Sequence, residues 1–420
     1  MKMWVYVIRR LLLIIPVVIG VMTITFVLVS QLPVQEKLLV YLGATKSPCG
    51  YNPYCAPGAE TPGGAIICPA STPQPGCPNP AYTTGVHQLG LDQPIPAQWA
   101  RYIYNSLTLQ WGNTDKASYA SSQIGISTQS MSVITVLSWF LPYTLELAAL
   151  SLIIILSLAI PIGNYSAVYR NRPFDQGARV LSFSGFAFPG FLLAVLLLFT
   201  AVALTGGANT SFCNHLSDAY EQWFGSWPNK NCLINEVYPA WIGQHYVTTP
   251  TGFPTVDAVF HALTDSSSAQ RAQDWYLAGE SIKRLLLPAF AIAFGSIAGI
   301  LRFVRNSMLE VMNLDFIRTA RAKGVPESTV VGRHAGRNSL NVTVTVLGLV
   351  FAGFIGGFPI YESVFGINGV GLLLVDSVNP AGFDFGLIFG ATLLFTLIVV
   401  CANIIVDILY AYLDPRVRLG

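Results

Sequence analysis

Residues 308–340 read MLEVMNLDFIRTARAKGVPESTVVGRHAGRNSL, a charged island between two long apolar segments. Met308, Met312, Phe316 and Ala320 recur at every fourth position, which predicts one shared helical face. Gly324 supplies a stop and Pro326 blocks continuation, and a second short helix restarts at Glu327 and runs to about Arg337. Arg318, Arg321, Lys323, Arg333 and Arg337 make the element basic. Spacing alone leaves two readings open. The charges set topology by the positive-inside rule, or a hinged helix pair with an exposed apolar stripe docks into another protein at a membrane face.

The rest of the chain supplies the membrane. Hydrophobic residues make up 53% and charged residues 10% of 420, where an average soluble domain carries roughly 25% charged. A net charge of +2 is too small to point to nucleic acid. Leu11–Leu32 follows Lys2, Arg9 and Arg10 and, at about 22 residues, spans ~30 Å of hydrocarbon; no small-x-small cleavage site follows, so it reads as a retained first helix. Further spans are expected over Pro142–Val168, Val180–Leu204 with Pro189 placed to kink it, Leu285–Leu301, Val342–Phe358 and Phe385–Tyr410. Gly353 and Gly357 give a GxxxG spacing, for packing within this subunit or against a second one. The expectation is an all-α integral membrane protein of six transmembrane helices with two large external insertions. Its segments are 1–32, 33–132 with a Cys-rich part and an amphipathic helix, 133–205, 206–280, and 281–420 with the island at 302–340. In the amphipathic helix Trp99, Tyr102, Ile103 and Leu107 line one side. The basic clusters Lys2–Arg10, Arg170–Arg179, Arg302–Arg337 and Arg416–Arg418 all fall on one side, which puts both termini in the cytoplasm of a plasma-membrane protein.

RTARAKG followed by HAGRN resembles the cytoplasmic coupling loop of ABC-transporter permeases of the dipeptide/oligopeptide type. Arg318, Thr319, Ala320 and Gly324 occupy the places of that motif's Glu-Ala-Ala and Gly, and Arg and Thr are usual there in the peptide branch. The resemblance extends to YVIRRLLLIIPVVIGVMTITFVL, LPYTLELA, FPGFLLAVLLL and the terminal LDPRVR. It implies the type I importer fold, with Arg318, Thr319, Ala320, Arg321, Lys323, Gly324, His334 and Arg337 facing an ATPase subunit. YESVFGINGVGLLLVDSVNPAGFD resembles the family's loop by the substrate path, so Glu362, Phe365, Asp376 and Asp384 are expected at an outer gate. Asn368 stands where Pro is usual and Leu372 where Arg is usual. Implied partners are a second homologous permease in a heterodimer, two cytoplasmic ATPases that carry ATP and Mg, and an external solute-binding protein. The chain itself is expected to hold no cofactor or metal and to be no enzyme. The branch imports peptides, oligosaccharides or nickel. Glu146, within LPYTLELA near a helix end, is then expected in a structural pairing rather than on the pathway.

Six of the seven cysteines, at 49, 55, 68, 77, 213 and 232, lie in the external insertions, and Cys401 lies in the last helix. An even number in an oxidising space predicts three disulfides, paired within each insertion, including Cys213–Cys232. Zinc is the competitor, but no Cys-x-x-Cys occurs. Asn209-Thr210-Ser211 is a glycosylation acceptor pattern. No phosphate loop, Gly-x-Ser-x-Gly elbow or His-Glu-x-x-His helix is present. Two further function classes stay open: a non-transporting scaffold or receptor that binds through its external loops, and an ion-driven carrier, which would more often place acids at mid-membrane.

Overall fold

The computed structural model describes residues 3–35, 37–38, 49–59, 68–69, 71, 76–114, 131–204, 253–264, 268–339, 358–378 and 384–413. The expected fifth helix with Gly353 and Gly357 (Phe358 aside), Cys213, Cys232, Asn209 and the terminal Asp414–Arg418 lie outside the described residues. The chain forms two compact units: Leu12–Leu141 with Leu373–Ile398, and Pro142–Leu372 with Met1–Leu11 and Val399–Gly420.

Helix α1 (Met3–Ser30) enters the first unit at Leu12 and carries there Pro16 and the apolar run Ile15–Leu28. Short antiparallel strands β1 (Tyr54–Cys55) and β2 (Cys77–Pro78) follow, then α2 (Pro80–Leu89) and α3 (Ile95–Leu107). Two disulfides, Cys49–Cys55 and Cys68–Cys77, close this module with Cα separations of 5.2 and 5.5 Å. Both pair within the first insertion, as expected. Asn79 ties the module to α2. Its Oδ1 accepts the Ala81 amide at 3.0 Å as an N-cap, and its Nδ2 donates to the Gly50 and Asn52 carbonyls at 2.9 and 2.7 Å. Among the described residues the cluster consists of the buried Cys49, Cys55 and Cys68 with Ala59 and Cys77 against them, so the cross-links are a main part of its packing. On the chain-entropy account, loops of 6 and 9 residues stabilise by about 2–3 kcal/mol each. All four cysteines lie in the single tryptic peptide Ser47–Arg101, so the connectivity is checked by unreduced digestion with a glutamate-specific protease. Cleavage after Glu60 is expected to separate the fragment with Cys49–Cys55 from the one with Cys68–Cys77, and fragments that stay joined until reduced would contradict this connectivity.

α3 lies on α1 through a hydrogen bond from the Trp99 indole to Thr23 Oγ1 at 3.1 Å and the Phe26–Tyr102 ring pair at 5.6 Å. Of the expected apolar side, Tyr102 is buried, Trp99 and Ile103 are half-buried, and Leu107, the last residue of the helix, is exposed.

In the second unit, α4 (Val133–Val168, entering this unit at Pro142) runs through Pro142 and Pro161. The expected third span proves to be two helices, α5 (Pro173–Ala187) and α6 (Gly190–Leu204), bent by 103° at Phe188–Pro189. Proline removes an amide donor and forces the preceding residue extended, and Phe188 sits at ψ 119°. After α7 (Pro254–Thr264) comes α8 (Ser268–Met312), which begins well before the expected Leu285 and ends past Leu301. Its extra turns are polar but built of Ala, Gln, Arg and Glu, good helix formers with Gly279 the one weak point. α8 is the centre of the unit: 59% of its apolar window is buried, against 28% for α4. Gly163 and Gly185 let α4 and α5 approach it, since added Cβ atoms would lie 2.9 Å from Val304 and 2.3 Å from Ala298. Short helices α9 (Asp315–Ala322) and α10 (Glu327–Thr329) follow, the latter continuing as a π-helical turn over Val330–Gly336. α11 (Phe358–Phe365) belongs to this unit, the chain passes into the first unit within α12 (Val370–Ser377), and the last helix, α13 (Phe385–Leu413), begins in the first unit and enters this one at Val399.

Among the described residues, three helices are long and apolar enough to cross a membrane, and the bent pairs α5–α6 and α11–α12 raise this to five if each is one span. The protein is a mostly helical membrane protein.

Candidate functional site

The basic island folds as a hairpin on the end of α8. Asn313 and Leu314 break the helix, and α9 restarts at Asp315 with Leu314 extended at ψ 150°. At its far end α9 closes in a Schellman motif: the Gly324 amide donates to the Arg321 carbonyl at 2.9 Å and the Val325 amide to the Ala320 carbonyl at 3.2 Å. Gly324 sits at φ +75°, the left-handed conformation that glycine adopts without steric penalty. After Pro326 the second helix restarts at Glu327 as predicted, and its last part is the π-helical turn. Ser307 Oγ donates to the Ser339 carbonyl at 3.1 Å and closes the hairpin at its root.

One apolar cluster holds the hairpin down. Ala167 from α4, Met308 from α8, Ile317 from α9 and Val330 and Ala335 from the second helix are buried together, with Met312, Ala320 and Val325 against them. This corrects the expected stripe. Met308 is buried, Met312 and Ala320 are half-buried, and Phe316 points out, because the break at Asn313–Leu314 resets the helical phase and brings Ile317 inward. The opposite face presents Leu314, Phe316, Arg318, Lys323, Arg333 and Arg337 to the surroundings, while His334 is half-buried. Thr319 bonds back to the Asp315 carbonyl at 2.9 Å. Arg318 reaches Asp315 only at 3.4 Å. Arg321 grips Glu327 across the Gly324 turn with both prongs, at 2.6 and 3.1 Å. That hydrogen-bonded guanidinium holds the Glu327 carboxyl below the usual carboxylate range.

The loop expected near a substrate path is built around Glu362. This carboxylate is fully buried; Oε1 accepts from Thr144 Oγ1 at 2.8 Å and Oε2 from the Leu372 amide at 2.9 Å, while Thr144 Oγ1 accepts the Val370 amide at 2.9 Å. Phe365 is buried beside the turn. In the other unit Asp376 is half-buried, and Asp384 is buried and caps α13, its Oδ1 accepting the Leu387 amide at 3.0 Å. Both buried carboxylates thus hold backbone in place. Glu146 does likewise: it accepts the Thr255 amide and hydroxyl at 2.9 and 3.0 Å and stabilises the start of α7, the structural contact expected of it.

One group was not visible in the sequence as functional. Asp175, in the first turn of α5, is fully buried and accepts from Arg305 Nε at 2.7 Å and its terminal nitrogen at 3.1 Å. It also accepts from Arg179, from Ser166 Oγ at 2.6 Å and from the Asn171 amide at 2.8 Å. Counting Arg170–Arg179 and Arg302–Arg305 as topology charges hides the acid between them; the useful signal is a single Asp among arginines on two segments.

Residues 159–419 match a family model described as the inner membrane component of binding-protein-dependent transport systems. The chain belongs to this family. Among the relatives of this permease is the oligopeptide transport system permease protein AppB of Bacillus subtilis, 28% identical over 98% of this chain and 99% of that one. A probable D,D-dipeptide transport system permease, DdpB of Escherichia coli, is 30% identical over 79% of this chain and 83% of its own. A putative peptide permease of Brucella suis shows 30% identity over 79% and 82%. The resemblance to peptide-type ABC permeases is therefore borne out, and the family is one of transporter permeases rather than enzymes.

Proposed function

We propose that this permease forms half of the translocation pathway of an ATP-driven peptide importer, with the hairpin over residues 308–339 seated in a cytoplasmic ATPase subunit. The observation that carries this reading is the two-sided hairpin: one face is anchored in the apolar cluster, and the other exposes Leu314 and Phe316 among Arg318, Lys323, Arg333 and Arg337. Exposed aromatic and aliphatic anchors ringed by cations are the composition of an interface centre. Arg321, exposed while it grips Glu327 across the Gly324 turn, belongs to the same contact in this reading, as do Thr319, Gly324 and His334. Two ATPases bind ATP and Mg, a second permease completes the pathway, and an external binding protein delivers solute to the side that bears the disulfides. Both termini then lie in the cytoplasm. ATP binds the state in which the ATPases are closed more tightly than the open state, and this differential affinity shifts the helices between inward-open and outward-open arrangements. The relatives' names favour peptides over oligosaccharides or nickel as solute. Glu362 and Phe365 in one unit and Asp376 and Asp384 in the other are then the residues that border the path, with Glu362 and Asp384 occupied in holding backbone.

The test is uptake of a labelled tetrapeptide mixture by the complex reconstituted in vesicles with ATP on the ATPase side. Accumulation that requires ATP supports the reading. Binding without accumulation assigns the chain to a scaffold, and accumulation driven by an ion gradient without ATP assigns it to a carrier.

A further inference from the structure

We propose that Asp175 is a positioning residue for coupling, a clamp that makes displacement of the hairpin move α5 and the broken span that follows it. The proposal rests on the reading of the hairpin as the ATPase contact.

Arg305 lies one turn before Met308 on α8, and Met308 is a buried member of the cluster that anchors the hairpin. Its guanidinium meets the carboxylate with two hydrogen bonds, a geometry that fixes orientation as well as distance. The same carboxylate takes the Ser166 hydroxyl from the end of α4 and the Asn171 amide from the turn between α4 and α5. That turn is strained at Asn171, φ +64°, and its residues Arg170, Asn171 and Arg172 are exposed. One side chain therefore joins α4, the turn, α5 and α8 at the root of the hairpin, where α4 contributes Ala167 and Val168 to the apolar cluster.

Beyond the clamp, α5 stays on α8 through the Ser182 hydroxyl, which donates to the Ala298 carbonyl at 2.9 Å, and through the close approach at Gly185. The chain then breaks at Pro189, and Gly190 passes so near Tyr361 that an added Cβ would lie 2.1 Å from its hydroxyl. Tyr361 adjoins Glu362, which organises the loop between α11 and α12. A contiguous run of hydrogen bonds and close backbone contacts thus leads from the hairpin to that loop, and Asp175 is its first link. Stability alone does not call for such a group, because buried ion pairs are often matched or bettered by apolar residues of similar volume.

The deciding experiment compares wild type, Asp175→Asn and Arg305→Lys in the full complex in vesicles, reading ATPase co-purification, ATP hydrolysis stimulated by loaded binding protein, and labelled tetrapeptide imported per ATP. Asp175→Asn is expected to keep its ATPase subunits and hydrolyse ATP while import per ATP falls roughly threefold to thirtyfold, the range over which residues along a coupling route act. Arg305→Lys, which keeps the charge but loses the paired grip, is expected to fall less. If wild type couples and both variants import as much per ATP as it does, the proposal is overturned. It is also overturned if the variants lose their ATPase subunits, since Asp175 then only builds the hairpin. A wild-type complex that retains no ATPase subunit overturns the docking reading instead, and the proposal with it.

Discussion

Arg321→Glu is expected to reduce uptake to near background while the permease still folds and inserts. The Arg321–Glu327 pair is exposed on both sides, 42% and 56%. Exposed pairs contribute roughly 0–1 kcal/mol, so reversing one charge does not unfold a hairpin held by five buried apolar residues. At a docking surface the same reversal costs more. Loss of one central contact is worth about 2 kcal/mol or more, roughly thirtyfold in affinity. The double variant Arg321→Glu with Glu327→Arg separates the two roles. It restores the pair across the turn and leaves the docking charge moved. Full recovery of transport by the double variant would show that Arg321 serves only the turn. Gly324 gives a parallel test. An added Cβ there meets nothing within 4 Å, so the chain's own packing tolerates a side chain, and the penalty is the left-handed backbone, about 1–2 kcal/mol for a residue with a Cβ. Asn tolerates that conformation better than Val. If Gly324→Asn and Gly324→Val both lose transport, bulk at the partner is the cause; if only Val does, the cause is the turn.

How much of this was legible before the structure follows from how local each determinant is. The stop at Gly324 and the restart after Pro326 depend on a few adjacent residues, and the Schellman turn appears where the sequence puts it. The break at Pro189 has the same character, although its size, a bend of 103°, depends on what α6 packs against. The face of α9 was misread because a fourfold spacing carried across Asn313 and Leu314 assumes an unbroken helix; two residues of turn put Ile317 where Phe316 was expected. The start of α8 at Ser268 was missed because polarity marks exposure to water and not the end of a helix. Asp175 and its partner Arg305 are separated by 130 positions, and no local pattern reports such a pair. Glu362 lies in a loop that a family resemblance singles out, but its work there, accepting the Thr144 hydroxyl and the Leu372 amide, depends on a helix 218 residues away.

That long-range contact sets the second large expected effect. Glu362→Ala is expected to destabilise the permease by about 3–5 kcal/mol, since it strands the buried Thr144 hydroxyl and the half-buried Leu372 amide at roughly 1–3 kcal/mol each and leaves a cavity besides. Glu362→Gln keeps the shape and one carbonyl oxygen and should cost far less. The glycines of the loop are constrained by the same carboxylate. A Cβ at Gly369 would fall 2.3 Å from all three carboxyl atoms of Glu362, and one at Gly371 would fall 2.6 Å from the Pro359 nitrogen and 2.7 Å from its Cα. A side chain can swing aside at a cost, whereas the Pro359 backbone is part of α11 and cannot yield without moving the helix. Gly371→Ala is therefore expected to lower the unfolding temperature of the detergent-solubilised permease more than Gly369→Ala, with Glu362→Ala comparable to Gly371→Ala and Glu362→Gln close to wild type. A melting temperature for Glu362→Ala equal to that of Glu362→Gln would mean that the buried oxygens do not hold this turn, and the loop would then have to be kept in place by Phe365 and Ile367 alone, both of which are buried beside it.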